Sequence, residues 1–426
     1  MTYQETITYL FNSTPAFEKE GATAYKPGLQ TTEALDAHFG HPHRQFKTLH
    51  IAGTNGKGSC SHTLASILQQ EGYKVGLYTS PHLVDFRERI RINGQCISEQ
   101  YVIDFVEQER AFFEPLHPSF FELTTALAFK YFAEQHVDIA VIEVGLGGRL
   151  DCTNIITPIL SIITNISKDH TQFLGNTLAE IAGEKAGIIK PRVPVIIGED
   201  IEETCPVFLQ RANEQHAPIL FAQDEANREV VKAEATPEGL LYNTKSWGTL
   251  VGELRGSYQA KNMNTILNAA NQLLAMGIIR NKQSVTKGVS SVCESTGLMG
   301  RWQKLSEHPL VICDTGHNVG GWNFLAEQIK AQPCENLHIV FGMVDDKDVH
   351  TIMQMLPKNA KYYWTQAHTK RAIPASDIQA YGRENNLSGE AYTTVKEAFA
   401  EAKRAANEND FIFVGGSSYV VGDLLS

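Results

Sequence analysis

The chain has 426 residues, 42% of them hydrophobic and 20% charged, and a formal net charge of −11. This length suggests two or three domains, and the apolar content excludes an intrinsically disordered protein. The acidic balance argues against a nucleic-acid binder, which usually presents a basic face. No apolar run approaches the roughly 18 residues of a membrane span. The N-terminus lacks a signal peptide and the scattered cysteines form no C-x-x-C pair, so a cytoplasmic protein without a membrane partner is expected.

Apolar runs of strand length alternate with helical patterns along most of the chain, which predicts an α/β fold with parallel sheets covered by helices. Residues 200–255 are more polar, and we predict that they form a small antiparallel excursion. A linker is predicted at 295–300, with a new run of strand–helix units after it. The predicted strands are 46–52, 139–144, 158–166, 193–197, 310–313, 337–341, 362–365 and 411–414, and the predicted helices are 59–70, 177–187, 322–331 and 349–356.

A glycine-rich segment, 53–59, joins the first predicted strand to the first predicted helix. Glycines let backbone N–H groups face a phosphate, the helix N-terminus adds partial positive charge, and Lys57 adds a full charge. The spacing departs from the usual Walker pattern, because Gly58 separates the lysine from Ser59. An ordinary glycine-rich turn is the alternative, but the order of strand, glycines, lysine and helix favours a nucleotide triphosphate site. The residues predicted to bind it are Thr54, Asn55, Gly56, Lys57, Gly58 and Ser59.

Two polar residues follow neighbouring apolar strands. Glu143 ends the strand 139–144, and His170 follows the strand 158–166. Ligands of open α/β sheets collect at the carboxyl ends of strands. A carboxylate beside a phosphate loop suits Mg²⁺, which prefers oxygen ligands, whereas a single histidine is more often structural.

Lys185 lies on the apolar face of the helix predicted at 177–187, whose start carries the capping-box signature of Thr177 and Glu180. A lysine on a buried face is unfavourable as a cation unless it is paired or chemically altered. One interpretation is a lysine that reaches solvent or forms an ion pair. The other is a neutral amine that takes up CO₂ and becomes a carbamate with oxygen ligands for a cation. The spacing by itself favours the first interpretation.

The second half of the chain has a polar segment of its own. Asp314, His317 and Asn318 follow the strand predicted at 310–313, and Arg301 lies just after the predicted linker. An arginine there can contact ATP phosphates as their charge redistributes. Taken alone these are weak signals, because surface loops often carry such residues.

Several stretches together resemble the folylpolyglutamate synthase/dihydrofolate synthase family, within the wider Mur ligase group. They occur in family order and cover nearly the whole chain. There are departures: DTGHN stands where the family usually has D-G-A-H-N, and Tyr258 stands where it usually has His. The matching stretches are HIAGTNGKGS (50–59), YTSPHLVDFRERIRING (78–94), FFELTTALAF (120–129), AVIEVGLGGRLDCTN (140–154), ISKDHTQFLGNTLAEIAGEKAGIIK (166–190), GSYQAKNMN (256–264), GRWQ (300–303), DTGHN (314–318) and GMVDDKD (342–348).

The resemblance implies the architecture. It implies a P-loop-containing N-terminal ATPase domain with a mostly parallel sheet at 1–296, and a smaller Rossmann-like α/β C-terminal domain at 297–426. It also favours the carbamate interpretation of Lys185.

The resemblance also implies residue roles. Besides the phosphate loop, the ATP-binding residues would be Asn262, Arg301, Asp314 and His317. Ser80 and Glu143 would hold one Mg²⁺, and His170 with carbamylated Lys185 a second. Lys57, Lys185, His170 and Arg301 would be catalytic. The folate-binding residues would be Gly28, Leu29, Gln30, Ser119, Phe121, Glu122 and Arg149.

The implied activity is ATP-dependent ligation of L-glutamate to dihydropteroate or a reduced folate through an acyl phosphate, by a monomer. The alternatives are only one of the two folate reactions, a cell-wall-precursor ligase of the Mur group, or a nucleotide-binding regulator without activity. Glu143, His170 and Lys185 argue against the regulator, because a protein that only binds nucleotide does not need two metal positions.

Overall fold

The computed structural model describes residues 1–14 and 28–426. It divides into two compact units, Met1–Glu253 with Gln259–Leu298 and Leu254–Tyr258 with Met299–Ser426. The chain therefore passes from one unit to the other after Glu253, after Tyr258 and after Leu298. The sequence did not indicate that the short segment Leu254–Tyr258 belongs to the second unit.

The first unit is built on a sheet with the strand order β4-β3-β2-β5-β1-β6-β7-β8. In this spatial order, all neighbours from β2 through β5, β1, β6 and β7 to β8 are parallel. The β2–β3 and β3–β4 pairs at the other edge are antiparallel. The mostly parallel sheet predicted for this region is confirmed. The strands are β1 Lys47–Ala52, β2 Val75–Tyr78, β3 Ile90–Ile92, β4 Gln95–Cys96, β5 Ile139–Glu143, β6 Leu160–Ile163, β7 Val195–Ile197 and β8 Ile219–Phe221.

Helices cover this sheet, which explains why its central strands are apolar on both faces. In β1, Leu49 and Ile51 are fully buried and belong to one core cluster with Leu64 and Ile67 of the helix Lys57–Gln70. The α-helices of this unit are Tyr3–Ser13, Gln30–His38, Lys57–Gln70, Glu99–Phe113, Phe120–Glu134, Thr171–Leu174, Leu178–Ala186, Cys205–Glu214, Gln259–Ala275, Lys282–Ser290 and Val292–Thr296.

The antiparallel excursion predicted for 200–255 is correct only in its second half. Strands β9 Val230–Ala235, β10 Leu240–Thr244 and β11 Thr249–Gly252 form a small antiparallel sheet. Before them, the helix Cys205–Glu214 and the strand β8 extend the main parallel sheet. The helix was missed because only two of its residues, Phe208 and Ala212, are buried, so its apolar stripe is short.

The second unit has a sheet with the order β12-β13-β17-β14-β15-β16, in which β12 and β13 pair antiparallel and the other neighbours are parallel. This arrangement agrees with the predicted Rossmann-like α/β architecture. The strands are β12 Gln303–Glu307, β13 Leu310–Asp314, β14 Leu337–Phe341, β15 Lys361–Trp364, β16 Gly389–Ala391 and β17 Phe411–Gly415. The helices are Val319–Ala331, Val349–Met355, Ala375–Glu384, Val395–Ala405 and Ser418–Leu425.

Within the described part of the chain, none of the helices combines the length and the hydropathy that crossing a lipid bilayer requires.

Candidate active site

The phosphate loop needs glycine at two positions. Gly53, directly after β1, has φ +147°, and a Cβ there would lie 1.8 Å from Thr164 Oγ1. Gly56 has φ +84°, and a Cβ there would lie 2.3 Å from Asn262 Oδ1. Both conformations are left-handed, and both positions leave no room for a side chain. Because Gly56 turns the chain, the helix begins at Lys57, two residues earlier than the sequence predicted.

The loop is held in shape by the segment that follows β6. The Thr54 N–H donates to Asn165 O over 2.9 Å, and the Asn55 N–H donates to Asn165 Oδ1 over 2.9 Å. Thr164 Oγ1 donates to Asn55 O over 2.6 Å, and Thr54 Oγ1 donates to Ser167 O over 3.1 Å. The backbone of the loop is therefore fixed before any ligand binds.

Two lysines share one carbonyl group of this loop. Lys57 Nζ donates to Gly53 O over 3.0 Å and to Thr54 O over 3.1 Å, and Lys185 Nζ donates to the same Gly53 O over 2.9 Å. Lys185 is only 4% exposed. Its pKa is lowered to about 7, chiefly by burial and also by the charge of Lys57, while Asp169 acts in the opposite direction. A substantial fraction of Lys185 is therefore a neutral amine at neutral pH.

Glu143 lies beside this loop. It is the last residue of β5 and pairs with Ile51 of β1, so its side chain leaves the sheet near the point where the phosphate loop begins. The carboxylate is buried, and its Oε2 accepts a hydrogen bond from the Ser80 N–H over 3.2 Å. The structure thus brings together two of the residues predicted to bind metal.

His170 adopts a left-handed conformation, with φ +49°, directly before the short helix Thr171–Leu174. The backbone N–H of His170 donates to Asp169 Oδ1 over 2.9 Å, and the ring Nε2 lies 3.8 Å from the same oxygen. Asp169, which the sequence analysis did not single out, is thus in contact with His170 and acts on the pKa of Lys185. Among residues 1–14 and 28–426, no three His, Cys, Asp or Glu side chains form a group that could hold a metal ion. The predicted metal roles, which also involve a serine and a lysine, stay predictions.

In the second unit, Asp314 ends β13 and is almost fully buried. Its Oδ2 accepts hydrogen bonds from Tyr258 Oη over 2.7 Å and from the Trp302 N–H over 2.7 Å, and its Oδ1 accepts from the Gly316 N–H over 2.8 Å. Burial raises the pKa of the Asp314 carboxyl, and the nearby Arg301 charge opposes that rise. Asp314 therefore organises the loop that follows its strand.

Arg301 and His317 both contact Thr315 in this loop. Arg301 Nη1 donates to Thr315 Oγ1, and His317 Nδ1 lies 3.0 Å from Thr315 O, to which it donates. Asn318 accepts a hydrogen bond from the Gly321 N–H over 2.9 Å and so starts the helix Val319–Ala331 three residues before its predicted beginning.

Three of the residues predicted to bind folate have structural contacts. Ser119 caps the helix Phe120–Glu134: its Oγ accepts from the Glu122 N–H over 3.2 Å, and Glu122 Oε2 accepts from the Ser119 N–H over 2.7 Å. This reciprocal capping box occupies both polar side chains. The ring of Phe121 stacks on Tyr78, with centroids 5.7 Å apart, and a Cβ at Gly145 would lie 2.5 Å from Phe121. Of Ser119, Glu122 and Phe121, only Phe121 has a side chain that can stack on an aromatic ring.

The other residues predicted to bind folate lie on different elements. Arg149 is paired with Glu184, whose Oε1 accepts from Arg149 Nη2 over 2.8 Å. Leu29 precedes the helix Gln30–His38, and Gly28 has φ +107°.

Comparisons with known proteins give the family. A Mur ligase middle domain matches residues 51–270, and a Mur ligase, glutamate ligase domain matches residues 300–418. A dihydrofolate synthase/folylpolyglutamate synthase of Bacillus subtilis (strain 168) is 34% identical over 417 residues, covering 94% of this chain and 94% of the relative. The chain belongs to the dihydrofolate synthase/folylpolyglutamate synthase family of Mur ligases. The resemblance inferred from the sequence motifs is confirmed.

Solved structures of this family have the same fold. E. coli FolC in complex with DHPP and ADP has a TM-score of 0.84 and 30% identity, covering 100% of this chain and 97% of that one. The bifunctional folylpolyglutamate synthase/dihydrofolate synthase of Yersinia pestis with Mn, AMPPNP and L-glutamate bound has a TM-score of 0.81 and 26% identity, with 100% and 97% coverage. The predicted fold class is thereby confirmed.

Tyr258 and Gln259 make contacts that the sequence motifs did not predict. Tyr258, at the position where His is usual in the family, binds Asp314, and the adjacent Gln259 donates to Ser59 Oγ over 3.0 Å. Both residues lie in the stretch GSYQAKNMN, which resembles the family and in which only Asn262 was predicted to bind ATP. Neither contact could be found from spacing, because the partners are distant in the sequence.

Proposed function

We propose that this family member joins L-glutamate to the carboxylate of dihydropteroate or of a reduced folate, with ATP as the source of the phosphoryl group. The names of its relatives, dihydrofolate synthase/folylpolyglutamate synthase, support this reaction. The observation that carries the proposal is that the phosphate loop, buried Glu143 and buried Lys185 meet where β1 and β5 end, with Lys57 and Lys185 on one carbonyl group.

The phosphate loop is suited to a triphosphate. Its backbone is held by hydrogen bonds to the segment after β6, its N–H groups lie at a helix N-terminus, and Lys57 donates to two carbonyl groups of the loop. Phosphate oxygens are stronger acceptors than carbonyl groups for an ammonium donor. In the proposed complex, Lys57 exchanges the carbonyls of Gly53 and Thr54 for phosphate oxygens.

The donor set fits Mg²⁺. Glu143 offers a buried carboxylate beside the phosphate loop, with Ser80 next to it. Lys185 has an amine that is partly neutral at neutral pH, and such an amine can add CO₂ to give a carbamate oxygen ligand. Ser80 with Glu143, and His170 with carbamylated Lys185, would hold the two ions. Bound Mg²⁺ would neutralise negative charge on the transferring phosphoryl group.

The proposed reaction has two displacements. An oxygen of the pterin substrate's carboxylate attacks the γ-phosphorus of ATP, the bond to the bridging oxygen breaks, and ADP leaves with an acyl phosphate formed. The amine of L-glutamate then attacks the acyl carbon, phosphate leaves with the bonding electrons, and the nitrogen loses a proton. Lys57 and Arg301 stabilise the charge on the phosphoryl oxygens, so positioning and electrostatics carry most of the catalysis.

Further residues are proposed to hold the substrates. Asn262, Asp314 and His317, together with the phosphate loop, are proposed to bind ATP. Phe121 is proposed to stack against the pterin or benzoate ring. The remaining proposed folate contacts are Gly28, Leu29, Gln30, Ser119, Glu122 and Arg149, of which Ser119 and Glu122 act mainly through the shape of the helix that they cap.

An ADP-release assay tests the proposal. Dihydropteroate and tetrahydrofolate are compared, each with and without L-glutamate, and glutamate-dependent ADP release with at least one of them is expected. Turnover with only one pterin would assign a single activity, and turnover with cell-wall precursors instead would assign another Mur-type ligase. ADP formed equally fast without pterin or glutamate would refute the proposal. Light scattering of the same sample tests the proposed monomer.

A further inference from the structure

One face of the phosphate-loop helix, Lys57–Gln70, carries three buried polar side chains. Ser59, His62 and Ser66 follow one another at spacings of three and four residues, so they lie along the same face. Their exposed fractions are 1%, 5% and 0%. Buried polar groups need hydrogen-bond partners, and the identity of those partners shows what this face holds.

The partner of Ser59 is Gln259. Gln259 is 2% exposed, and its Nε2 donates to Ser59 Oγ over 3.0 Å, while its Oε1 accepts from Asn262 Nδ2 over 2.8 Å. Asn262 in turn lies against Gly56, the glycine that turns the phosphate loop. The start of the helix Gln259–Ala275 is therefore fitted to the loop by side-chain amides.

This contact directs the Ser59 hydroxyl. A hydroxyl has one proton to donate and two lone pairs that accept. Because Ser59 Oγ accepts the Gln259 N–H, its own proton can be given to a ligand oxygen at the helix N-terminus. Gln259 thus sets the direction of a group that the phosphate loop offers to nucleotide.

The other two residues of the face hold the segment 295–296. His62 Nδ1 lies 2.7 Å from Thr296 Oγ1, and that hydroxyl donates to Val292 O over 2.6 Å, so His62 is the donor to Thr296. Ser295 Oγ donates to Ser66 Oγ over 2.7 Å. A single helix face therefore holds two segments that are far apart in the sequence.

These two segments adjoin the places where the chain changes units. Gln259 is the first residue of the first unit after the chain returns from Tyr258, and Thr296 lies two residues before Leu298, where the chain leaves again. Between Thr296 and Leu298, Gly297 O accepts from Arg91 Nη2 over 3.4 Å, which adds a further anchor within the first unit.

We infer that Gln259 and Thr296 are positioning residues, which tie both chain crossings to the Ser59–His62–Ser66 face of the phosphate-loop helix. A ligand that binds at the N-terminus of this helix is then expected to stabilise both crossings against local opening. The inference rests on the proposed function only in taking ATP as that ligand, and nucleotide binding can be measured apart from ligation.

A double-mutant cycle tests the Gln259 contact. Ser59→Ala, Gln259→Leu and the double variant are compared by the Kd of a fluorescent ATP analogue. Each single variant is expected to weaken binding by about three- to tenfold, the scale of one hydrogen bond. Because Gln259 acts through Ser59, adding Gln259→Leu to Ser59→Ala is expected to change Kd by less than about twofold. Gln259→Glu, similar in shape and still an acceptor for Asn262, is expected to weaken binding at least as much as Gln259→Leu, since it cannot donate to Ser59 and adds negative charge beside the phosphate loop.

Hydrogen exchange tests the crossings. In the wild-type protein, the ATP analogue is expected to slow amide exchange in peptides covering 254–258 and 295–299. Thr296→Val removes the hydroxyl with little change of shape. It is expected to abolish the slowing at 295–299 and to lower kcat several-fold, with Kd for the analogue changed by less than about twofold. The matched control is Thr48→Val, at a buried threonine whose hydroxyl has no hydrogen-bond partner within the described residues, and it is expected to behave like wild type.

The outcomes distinguish failure of the positioning inference from failure of the proposed ligase activity. Additive effects of Ser59→Ala and Gln259→Leu, or nucleotide-dependent slowing that persists in Thr296→Val, would overturn the inference while leaving the ligase proposal intact. A wild-type protein that binds the analogue without any change of exchange at either crossing would also overturn it. A wild-type protein that binds no ATP analogue would refute both.

Discussion

The two units place comparable loops at comparable positions and give them opposite electrostatics. The phosphate loop follows β1, and residues 315–318 follow β13, in each case at the carboxyl end of a strand in a parallel sheet. Near the first loop the buried ionisable group that stands out is a base, Lys185, whose pKa burial lowers. In the second it is an acid, Asp314, whose pKa burial raises.

The difference lies in how each group is satisfied. Lys185 and Lys57 both donate to the carbonyl group of Gly53, so two basic side chains meet at one neutral acceptor. Asp314 accepts three hydrogen bonds from its own unit. A loop that gathers two basic side chains favours an anionic ligand, whereas an acid with three donors in its own unit maintains the shape of its loop. The same sheet position is therefore proposed to bind a ligand through basic side chains in the first unit, whereas in the second unit Asp314 organises the loop that follows its strand.

The largest effect is expected in the cationic loop. Lys57→Ala should lower kcat/KM for ligation by about 10²- to 10³-fold, by analogy with the loss of one preorganised electrostatic contact to a transition state. The measurement is glutamate-dependent ADP release. Lys232→Ala, at an exposed lysine of the same unit, is the control and should retain wild-type activity. Undiminished amide-bond formation by Lys57→Ala would remove the basis for treating the loop as an anion site.

In the second unit, the substitution of Arg301 should lower the ligation rate, but by less than the substitution of Lys57. Arg301→Ala should lower kcat by about ten- to a hundredfold, the scale of a hydrogen bond to a charged group. The same assay measures it, with exposed Arg404→Ala as the control in that unit. If Arg301→Ala were as active as wild type, the second loop would have a structural role only.

The buried base should appear in the pH dependence of stability. The pKa of Lys185 is about 7 in the folded chain, against 10.5 as the ordinary value, so between these values the unfolded chain binds a proton that the folded chain lacks. The free energy of unfolding should therefore rise with pH from about 7 towards 10.5, by up to about 1.4 kcal/mol per pH unit relative to Lys185→Met. Below pH 7 the difference should be flat.

Urea denaturation of wild type and Lys185→Met at pH 6, 7, 8 and 9, in buffer free of CO₂, measures this slope. Lys232→Met is the control, and its difference from wild type should not change with pH in this range, because its side chain is exposed. Parallel curves for wild type and Lys185→Met would mean that Lys185 stays charged in the folded protein.

The smallest effect is expected at Asp314, whose carboxylate accepts three hydrogen bonds. Tyr258→Phe removes one of the hydrogen bonds to Asp314 and leaves the two from backbone N–H groups. The loss of folding free energy should be about 1 kcal/mol, because the carboxylate stays partly satisfied. Thermal melting measures the change. A loss several times larger would show that the tyrosine, rather than the backbone, holds Asp314.

The sequence predicted the elements whose signals are local. The glycine positions of the phosphate loop, the capping box of Thr177 and Glu180, and the inward orientation of Lys185 all follow from spacing within one turn or one helix, and the structure has each of them. The helix Cys205–Glu214 was missed because its buried stripe is short. Ser119 and Glu122, for which the resemblance implies folate contacts, also form a capping box, a pattern that is visible in the sequence.

By itself the sequence determined the α/β fold, the family and the position of the phosphate loop, because alternating apolar runs and an ordered glycine-lysine segment are properties of neighbouring residues. Only the tertiary structure decided that Lys57 and Lys185 share Gly53 O, and that Gln259 reaches Ser59. Those contacts join residues 128 and 200 positions apart. The packing of sheet and helices brings them together, and no periodicity along the chain records such a distance.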